Sequence, residues 1–554
     1  MHAPRRLLAT SLTAALLSTS AATALAAPPS AAAGTAATAT AVAAPATSTR
    51  RLTPRTRFTM KPDGSSGKTA GGEGIPNIDS VKKTIATYYG DPGTGIADKI
   101  SSPYISELNA IVRAQTRTLQ SRYNTALRRH QKPTLVFDTD DTTLFTYDME
   151  VHDMHFTFTP AQQQEWIRDQ KFPATPAMVA YVRRAKAIGY TIVGLTGRSA
   201  SQEADTLANL RKVGYGDAFT DANFYTKWSG TKPSYVRCVD ASACTTVEYK
   251  AGTRRYLETK RHLTIVATYG DQWSDLQGGY ADHTVKLPNP TYYLPSANLP
   301  GKKQPKLASR THFTMAPDGS SGAYVGGEGI PNIDSVKKTI AVYYGDDGDG
   351  KADKARSPYI SELKKIAAQQ RKTLKARYRA ALRNGEKPAL LFDADDTTLF
   401  TYDMEVAGMH FTFDPVLQDE YVQGQKFAAT PSMVGYVNYA QRLGYTVFGL
   451  TGRNDNQKAA TLANLAKVGY DPHAFVPDRF FTKWVSGAKP PTWVTGCAVA
   501  DKCTTIEYKS KTRAHIEQDL HYTIVANYGD QYSDLLGGYA DRTVKLPNPT
   551  YYLP

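Results

Sequence analysis

The chain states nearly everything twice. RFTMKPDGSSG followed by GGEGIPNIDSVKKTIATYYGD, from Thr56 onward, returns from Thr311 as HFTMAPDGSSG followed by GGEGIPNIDSVKKTIAVYYGD. The correspondence continues to the end of the sequence, with only small insertions late in the second copy. Whatever fold the first copy adopts, the second must adopt too. Each copy is several-fold longer than a solenoid unit and large enough for its own core, so the repeat is a duplicated domain and not an array. The expected organisation is a first domain over 55–295, a linker over 296–310 (SANLPGKKQPKLASR) and a second domain over 311–554.

What precedes the first copy reads as processing and tether. Arg5 and Arg6, an apolar run from Leu7 to about Leu17 and small residues ending Ala24-Leu25-Ala26 form a secretory signal peptide over 1–26. Residues 27–54 are mostly Ala, Thr, Pro and Ser, a composition that buries no core and is expected to be disordered. No later apolar run reaches the roughly 18 residues of a membrane span. The expected mature protein is therefore secreted and extracellular. Cys238 and Cys244 enclose five residues, and Cys497 and Cys503 repeat the spacing. In an oxidising compartment one disulfide per repeat is favoured over zinc, because no second cysteine pair lies near. Closing so short a loop stabilises by roughly 2 kcal/mol on the chain-entropy model. The formal charge of +15 would attract phosphorylated or polyanionic material, or only solvate the surface; no nucleic-acid-binding motif accompanies it.

Within a repeat, helical and strand patterns alternate. A long amphipathic helix is expected from Tyr104 to about Arg129, then a strand ending at Asp138, a helix from Pro176 to Ile188 and a strand from Tyr190 to Leu195. A helix over 201–213, a short strand near Phe224, a helix from about Lys250 to Arg261 and a strand from Leu263 to Tyr269 complete the series. Such alternation implies an α/β fold, a mostly parallel sheet flanked by helices, with ligands at the carboxyl ends of the strands.

Those ends are where the unusual residues sit. The first strand runs into carboxylates in LVFDTDDTTLFTYDMEV (Leu135–Val151), repeated as LLFDADDTTLFTYDMEV (Leu390–Val406). Asp and Thr are poor strand-interior residues, so these ends are built for chemistry. The second strand ends in Thr196-Gly197-Arg198, matched by Thr451-Gly452-Arg453: a hydroxyl, a bare amide and a guanidinium suited to cradling phosphate. The third ends in Asp271 and Asp275, matched by Asp530 and Asp534, and is preceded by a helix carrying Lys250, matched by Lys509. Crowding Asp138, Asp140, Asp271 and Asp275 at one edge raises their pKa values or calls for a cation. Carboxylate oxygens without His or Cys select Mg²⁺.

The ordered set Asp-x-Asp-x-Thr, Thr-Gly-Arg, Lys and Gly-Asp-x-x-x-Asp resembles the haloacid dehalogenase (HAD) superfamily. GDQWSD and the long leading helix are most similar to its secreted acid phosphatase branch, subfamily IIIB. The resemblance covers about 75–288 and 330–547, and implies two tandem HAD-like Rossmannoid domains. It further implies Asp138 and Asp393 as nucleophiles forming an aspartyl-phosphate, and Asp140 and Asp395 as general acid and base. Thr196, Gly197 and Lys250 would bind phosphate, as would Thr451, Gly452 and Lys509. Asp138, Asp140 through its carbonyl, Asp271 and Asp275 would hold Mg²⁺, with Asp393, Asp395, Asp530 and Asp534 in the second copy. Family dehalogenases lack an acid two residues after the nucleophile, so Asp140 favours small phosphomonoesters as substrates.

Rival readings accompany several of these residues. Thr196 is also placed to cap the next helix. Lys227 in FYTKW, matched by Lys483 in FFTKW, competes with Lys250, which is preferred because it starts the helix before the Gly-Asp strand. Arg198 and Arg453 would contact substrate, phosphate or a neighbouring carboxylate. His155 and His410 in MHFTF are read as packed and hydrogen-bonded in preference to pocket groups. Asp347, Asp349 and Asp353 read as a turn before a calcium loop, since Pro92 and Thr94 replace the first two in the other copy. A binding or storage protein that keeps the fold without turnover, and a phosphotransferase, remain alternative functions. Oligomeric state and cooperation between the copies are left open by the sequence.

Overall fold

Both repeats alternate strands and helices in the same order. The computed structural model describes residues 57–59, 68–74, 77–240, 243–294, 299, 312–314, 323–329, 332–499 and 502–553. The expected signal peptide, the Ala/Thr/Pro-rich segment and all but Leu299 of the expected linker lie outside the described residues.

In the first repeat a hairpin of β1 (Arg57–Thr59) and β2 (Lys68–Gly74) precedes helices α1 (Ile78–Tyr89) and α2 (Pro103–Arg128). Strand β3 (Pro133–Phe137), helices α3 (Pro160–Arg168) and α4 (Met178–Ile188), and strand β4 (Thr191–Ser199) follow. Then come helix α5 (Glu203–Leu210), strand β5 (Phe224–Lys227), helix α6 (Thr246–Thr259), strand β6 (Thr264–Gly270), helix α7 (Trp273–Leu276) and strand β7 (His283–Lys286).

The second repeat supplies β8 (His312–Thr314), β9 (Ala323–Gly329), α8 (Ile333–Tyr344), α9 (Pro358–Arg383), β10 (Pro388–Phe392) and a short β11 (Leu399–Phe400). It continues with α10 (Pro415–Gln423), β12 (Ala428–Ala429), α11 (Met433–Arg442), β13 (Thr446–Asn454) and α12 (Lys458–Lys467). It ends with β14 (Phe480–Lys483), α13 (Thr505–Gln518), β15 (Thr523–Gly529), α14 (Tyr532–Leu535) and β16 (Thr543–Lys545).

Each repeat holds a five-stranded sheet, ordered β5-β4-β3-β6-β7 and β14-β13-β10-β15-β16. Every neighbouring pair is parallel. The α/β class read from the sequence is the observed one. The central strand β3 is buried along its whole length, as expected for a parallel strand covered on both faces. Helix α2 starts where the sequence marks it: Ser102 accepts a hydrogen bond from the Ile105 amide, and Pro103 fills the first turn.

Some boundaries differ from the sequence reading. Helix α6 begins at Thr246, not at Lys250, because Thr245 and Glu248 form a reciprocal capping box. Lys250 therefore lies in the second turn. Strand β7 and the β1–β2 hairpin were not anticipated; β7 is four residues long and half exposed, so it carries almost no apolar signal. Cys238 is bonded to Cys244 and Cys497 to Cys503, as expected.

The described parts of both repeats belong to one compact unit. The C-terminal end of α1 packs in its own repeat, where Tyr88 donates to Glu107 at 2.7 Å and Tyr89 stacks on Tyr104. Its N-terminal end reaches the other repeat: the Ile78 amide donates to the Pro549 carbonyl at 2.9 Å. Helix α8 does the same in reverse, with the Ile333 amide on the Pro290 carbonyl at 2.8 Å. Ile78, Val81 and Ile85 share one buried cluster with Ile333, Val336 and Ile340.

Candidate functional site

The strand order places β3 between β4 and β6, so the three motif-bearing ends converge. The Asp138 amide makes the last ladder bond, to the Tyr269 carbonyl at 3.0 Å, and the chain then leaves the sheet. Carboxylate oxygens of Asp138, Asp271 and Asp275 lie within 4.8 Å of one another, all three residues buried. Asp393, Asp530 and Asp534 repeat the cluster. Gly270 makes the close approach feasible, since a Cβ there would fall 2.2 Å from that of Asp275. Gly529 has the same relation to Asp534.

One ammonium serves the cluster. Lys250 Nζ donates to Asp138 Oδ1 at 2.7 Å and also to Asp275. Lys509 Nζ bonds Asp393 Oδ1 at 2.8 Å and Asp534. The rival Lys227 instead lies over the Trp228 ring, and Lys483 over Trp484. An isolated Lys–Asp pair would lower the acid and raise the base, yet both rise here. Burial, then Asp275, pushes Asp138 well above the usual carboxylate range, with Lys250 pulling the other way. Burial opposes the charge on Lys250, but Asp138 and Asp275 outweigh it and hold the lysine above its ordinary value. Burial and Asp275 push Asp271 up to about 6, and burial and Asp271 push Asp141 up to about 8. Negative charge is in excess, the donors are all oxygen, and water is largely excluded. That donor set and that deficit fit a small hard dication.

Asp140 is handled differently from its neighbours. Its carboxylate turns to Arg198, which donates from Nη2 to Oδ1 at 2.6 Å and from Nε to Oδ2 at 3.2 Å. Arg198 is in turn fixed by Thr206 at 3.0 Å and lies over the Phe172 ring. Arg453 binds Asp395 alike, at 2.6 Å from Nη2 to Oδ1. The neighbouring carboxylate is thus one partner of this arginine, as considered from the sequence. Thr196 is fully buried, and its hydroxyl accepts from the Arg198 amide at 3.2 Å. Beside it Gly197 is exposed, and a Cβ there would meet nothing within 4 Å, as at Gly452. The Gly197 edge of the site is thus uncovered. Thr451 is buried like Thr196, with its hydroxyl on the Arg453 amide at 3.2 Å.

His155 and His410 depart from expectation. Both residues are exposed, and both backbones adopt positive φ in a turn whose carbonyls, at His155 and His410, accept from Thr412 and Thr157 of the opposite repeat at 3.5 Å. In the Asp346–Asp349 stretch Asp346 accepts from the Gly348 and Gly350 amides at 2.8 and 3.1 Å, as in a turn. Carboxylate oxygens of Asp346, Asp347 and Asp349 lie within 4.8 Å of one another, while Asp353 accepts from the Ala355 and Arg356 amides.

With this geometry established, the sequence profile described as HAD superfamily, subfamily IIIB (Acid phosphatase) matches residues 95–295 and 351–554. The chain belongs to this acid phosphatase family. Stem 28 kDa glycoprotein of Glycine max is 33% identical over 177 residues, 31% of this chain and 64% of that protein. Acid phosphatase 1 of Solanum lycopersicum is 33% identical over 174 residues, 29% of this chain and 58% of that one. Vegetative storage protein 1 of Arabidopsis thaliana is 29% identical over 177 residues, 31% of this chain and 58% of that one. The match thus spans less than two thirds of each relative. The class C acid phosphatase from Bacillus anthracis aligns with TM-score 0.28 and 20% identity over 39% of this chain and 87% of that one.

Several site residues of this family member escaped the sequence reading. Asp141 has φ 46° and a carboxylate that accepts from the Thr146 amide at 3.0 Å and from Asn289 Nδ2 at 3.1 Å. The same Asn289 amide donates to Asp271 at 2.7 Å, and Gln272 adds a second bond to Asp271 at 2.7 Å. Asn548, Asp396 and Gln531 repeat this web. Glu150 and Glu405 are buried beside it, and burial, then Asp141 or Asp396, pushes each well above the usual range. One signal was available: KLPNPTYYLP stands unchanged at 286–295 and 545–554.

Proposed function

We propose that the chain is a secreted, Mg²⁺-dependent phosphomonoesterase with one working site in each repeat. The observation that carries this reading is the buried trio Asp138, Asp271 and Asp275 bridged by Lys250, present again as Asp393, Asp530, Asp534 and Lys509. Lys250 occupies Asp138 Oδ1, and among the described residues no hydrogen bond reaches Oδ2. That oxygen is the nucleophile: it attacks phosphorus while the phosphorus–oxygen bond to the alcohol breaks. Asp140 gives its proton to the departing alkoxide, from Oδ2, the oxygen with the longer contact to Arg198. Once ionised, it takes a proton from water, which attacks the aspartyl-phosphate, releases phosphate and restores the Asp138 carboxylate. Thr196, the uncovered Gly197 amide and Lys250 steady the phosphoryl oxygens.

Asp138, Asp271 and the Asp140 carbonyl would hold Mg²⁺, with Asp275 ordering its waters. When bound, the ion supplies the positive charge that lets a phosphate dianion approach a carboxylate. Retention of both Asp138 and Asp393 favours turnover over storage, since a protein that only accumulates has no use for either. The proposed organisation keeps the signal peptide over 1–26, domains over 55–295 and 311–554 and the linker between them. Secretion agrees with the paired cysteines and with the finding that, among the described residues, no helix is long and apolar enough to cross a membrane.

The test is hydrolysis of a generic phosphomonoester by the full chain. Turnover is expected, with loss in excess chelator and recovery on added Mg²⁺. No turnover with any divalent cation would end the phosphomonoesterase reading, and transfer to an added alcohol in place of water would make it a phosphotransferase.

A further inference from the structure

The web that fixes the metal-site carboxylates does not end inside its own repeat. Asn289 donates its side-chain amide to Asp271 and Asp141, and its backbone carbonyl accepts from Asn332 of the second repeat at 3.1 Å. Asn332 also donates to the Tyr292 carbonyl at 2.6 Å, while Asp334 accepts from the Tyr293 amide at 3.0 Å. The arrangement is reciprocal: Asn77 of the first repeat donates to the Asn548 carbonyl at 3.1 Å and the Tyr551 carbonyl at 2.5 Å. Asp79 accepts from the Tyr552 amide at 3.0 Å. Two hydrogen bonds thus separate each acidic cluster from a helix start in the opposite repeat.

A second tie runs from the nucleophile loop. Thr146 binds Asp141, the Glu150 amide donates to the Thr146 carbonyl, and the Phe156 amide donates to the Glu150 carbonyl at 2.7 Å. The Phe156 carbonyl then accepts from Lys337 of the second repeat, and Lys82 of the first binds the Phe411 carbonyl. Glu150 lies inside this loop, within electrostatic reach of both Asp140 and the opposite repeat's Lys337. Buried carbonyls left without donors are costly, so these ties fix backbone positions and do more than fill space.

We propose that each site is completed in trans: Asn332 positions the Asp271–Asn289–Asp141 web of the first repeat, and Asn77 positions the Asp530–Asn548–Asp396 web of the second. This rests on the phosphomonoesterase reading for its activity arm only. Asn332 and Asn77 are positioning residues; they touch no substrate. The duplication then has a physical use, since a single repeat would lack the helix start that braces its own carboxylates.

The test uses the full chain with one nucleophile removed. In an Asp393→Asn background only the first repeat turns over, and Asn332→Ala is expected to raise the Mg²⁺ concentration for half-maximal activity about tenfold, the lower end for loss of an outer-shell partner. In an Asp138→Asn background the same substitution shifts that requirement far less, and Asn77→Ala gives the mirror image. Backbone hydrogen exchange supplies a readout free of turnover: Asn332→Ala accelerates residues 287–293 more than 546–552. If Asn332→Ala does not fold, Asn332→Asp carries the same arms, since it keeps the oxygen that accepts from the Asp334 amide at the helix start and loses the amide that donates to the Asn289 and Tyr292 carbonyls. Equal shifts in both backgrounds, shifts confined to the substituted repeat, or no shift would overturn the proposal. If neither background has activity, the phosphatase reading has failed, and the exchange pattern alone decides the trans reading.

Discussion

Turnover of a generic phosphomonoester falls by about 10⁴-fold or more when Asp138→Asn and Asp393→Asn are combined, the scale expected when a covalent nucleophile is lost. Each single substitution leaves the activity of the other repeat. The amide is nearly isosteric with the carboxylate, so the sheet ends and the Lys250 contact persist, and the loss reports chemistry in place of collapse. A double variant with wild-type turnover would remove both residues from the nucleophile role. A single variant that abolishes all activity would contradict two separately working sites. A circular dichroism spectrum matching the parent's is the control that makes the comparison meaningful.

Lys250→Met in the metal-free protein is expected to cost about 3–5 kcal/mol of stability near pH 8, the range for breaking a buried ion pair by removing one partner. The lysine is 3% exposed and bridges two carboxylates that are themselves buried, so its loss leaves negative charge with nothing to face. The cost should shrink as the pH falls. Asp271 and Asp141 are raised to about 6 and about 8, above the unfolded value of 3.8. The folded state therefore binds their protons more tightly, and its stability decreases as pH rises through those two values. Thermal unfolding in chelator should show Tm declining between pH 5 and 8 in the parent, and declining more steeply in Lys250→Met. This window lies above the range in which exposed carboxylates held low, such as Asp98 and Asp217, have their effect. Added Mg²⁺ restores Tm at pH 8 by binding the folded state alone. A Tm that is flat or rises across this window would contradict the buried charge excess.

Much of this site is written locally. A run such as Leu135-Val136-Phe137 must be buried, and the carboxylates that follow must sit where the strand surfaces. The three motif ends meet because β3 lies between β4 and β6 and all three run parallel, which brings their carboxyl ends to one edge of the sheet. Lys250 was preferred over Lys227 for partly the wrong reason: it does not start its helix, and the Thr245–Glu248 capping box that sets the start is a pattern legible in TTVE. Arg198 was ambiguous because substrate, phosphate and carboxylate are all chemically plausible partners for a guanidinium, and only the fold brings Asp140 within 2.6 Å. Asn289 and Asp141 carried no recognisable role, since a buried amide joining two carboxylates has no periodicity. The ties through Asn77 and Asn332 were beyond local reading altogether: the first links residues 471 positions apart. A duplicated sequence reads as two self-contained halves, and reciprocal bracing leaves no trace in either one.

The measurement that meets the central claim most directly is capture of the phosphorylated enzyme. Full-length protein turning over a phosphomonoester with Mg²⁺ is quenched in acid, reduced with borohydride and mapped by peptide mass spectrometry. Borohydride converts an aspartyl-phosphate to homoserine, so the account predicts homoserine at positions 138 and 393 and at no other aspartate. Reduction at Asp140 or Asp271, or full turnover with no reduced residue at either predicted position, would contradict it.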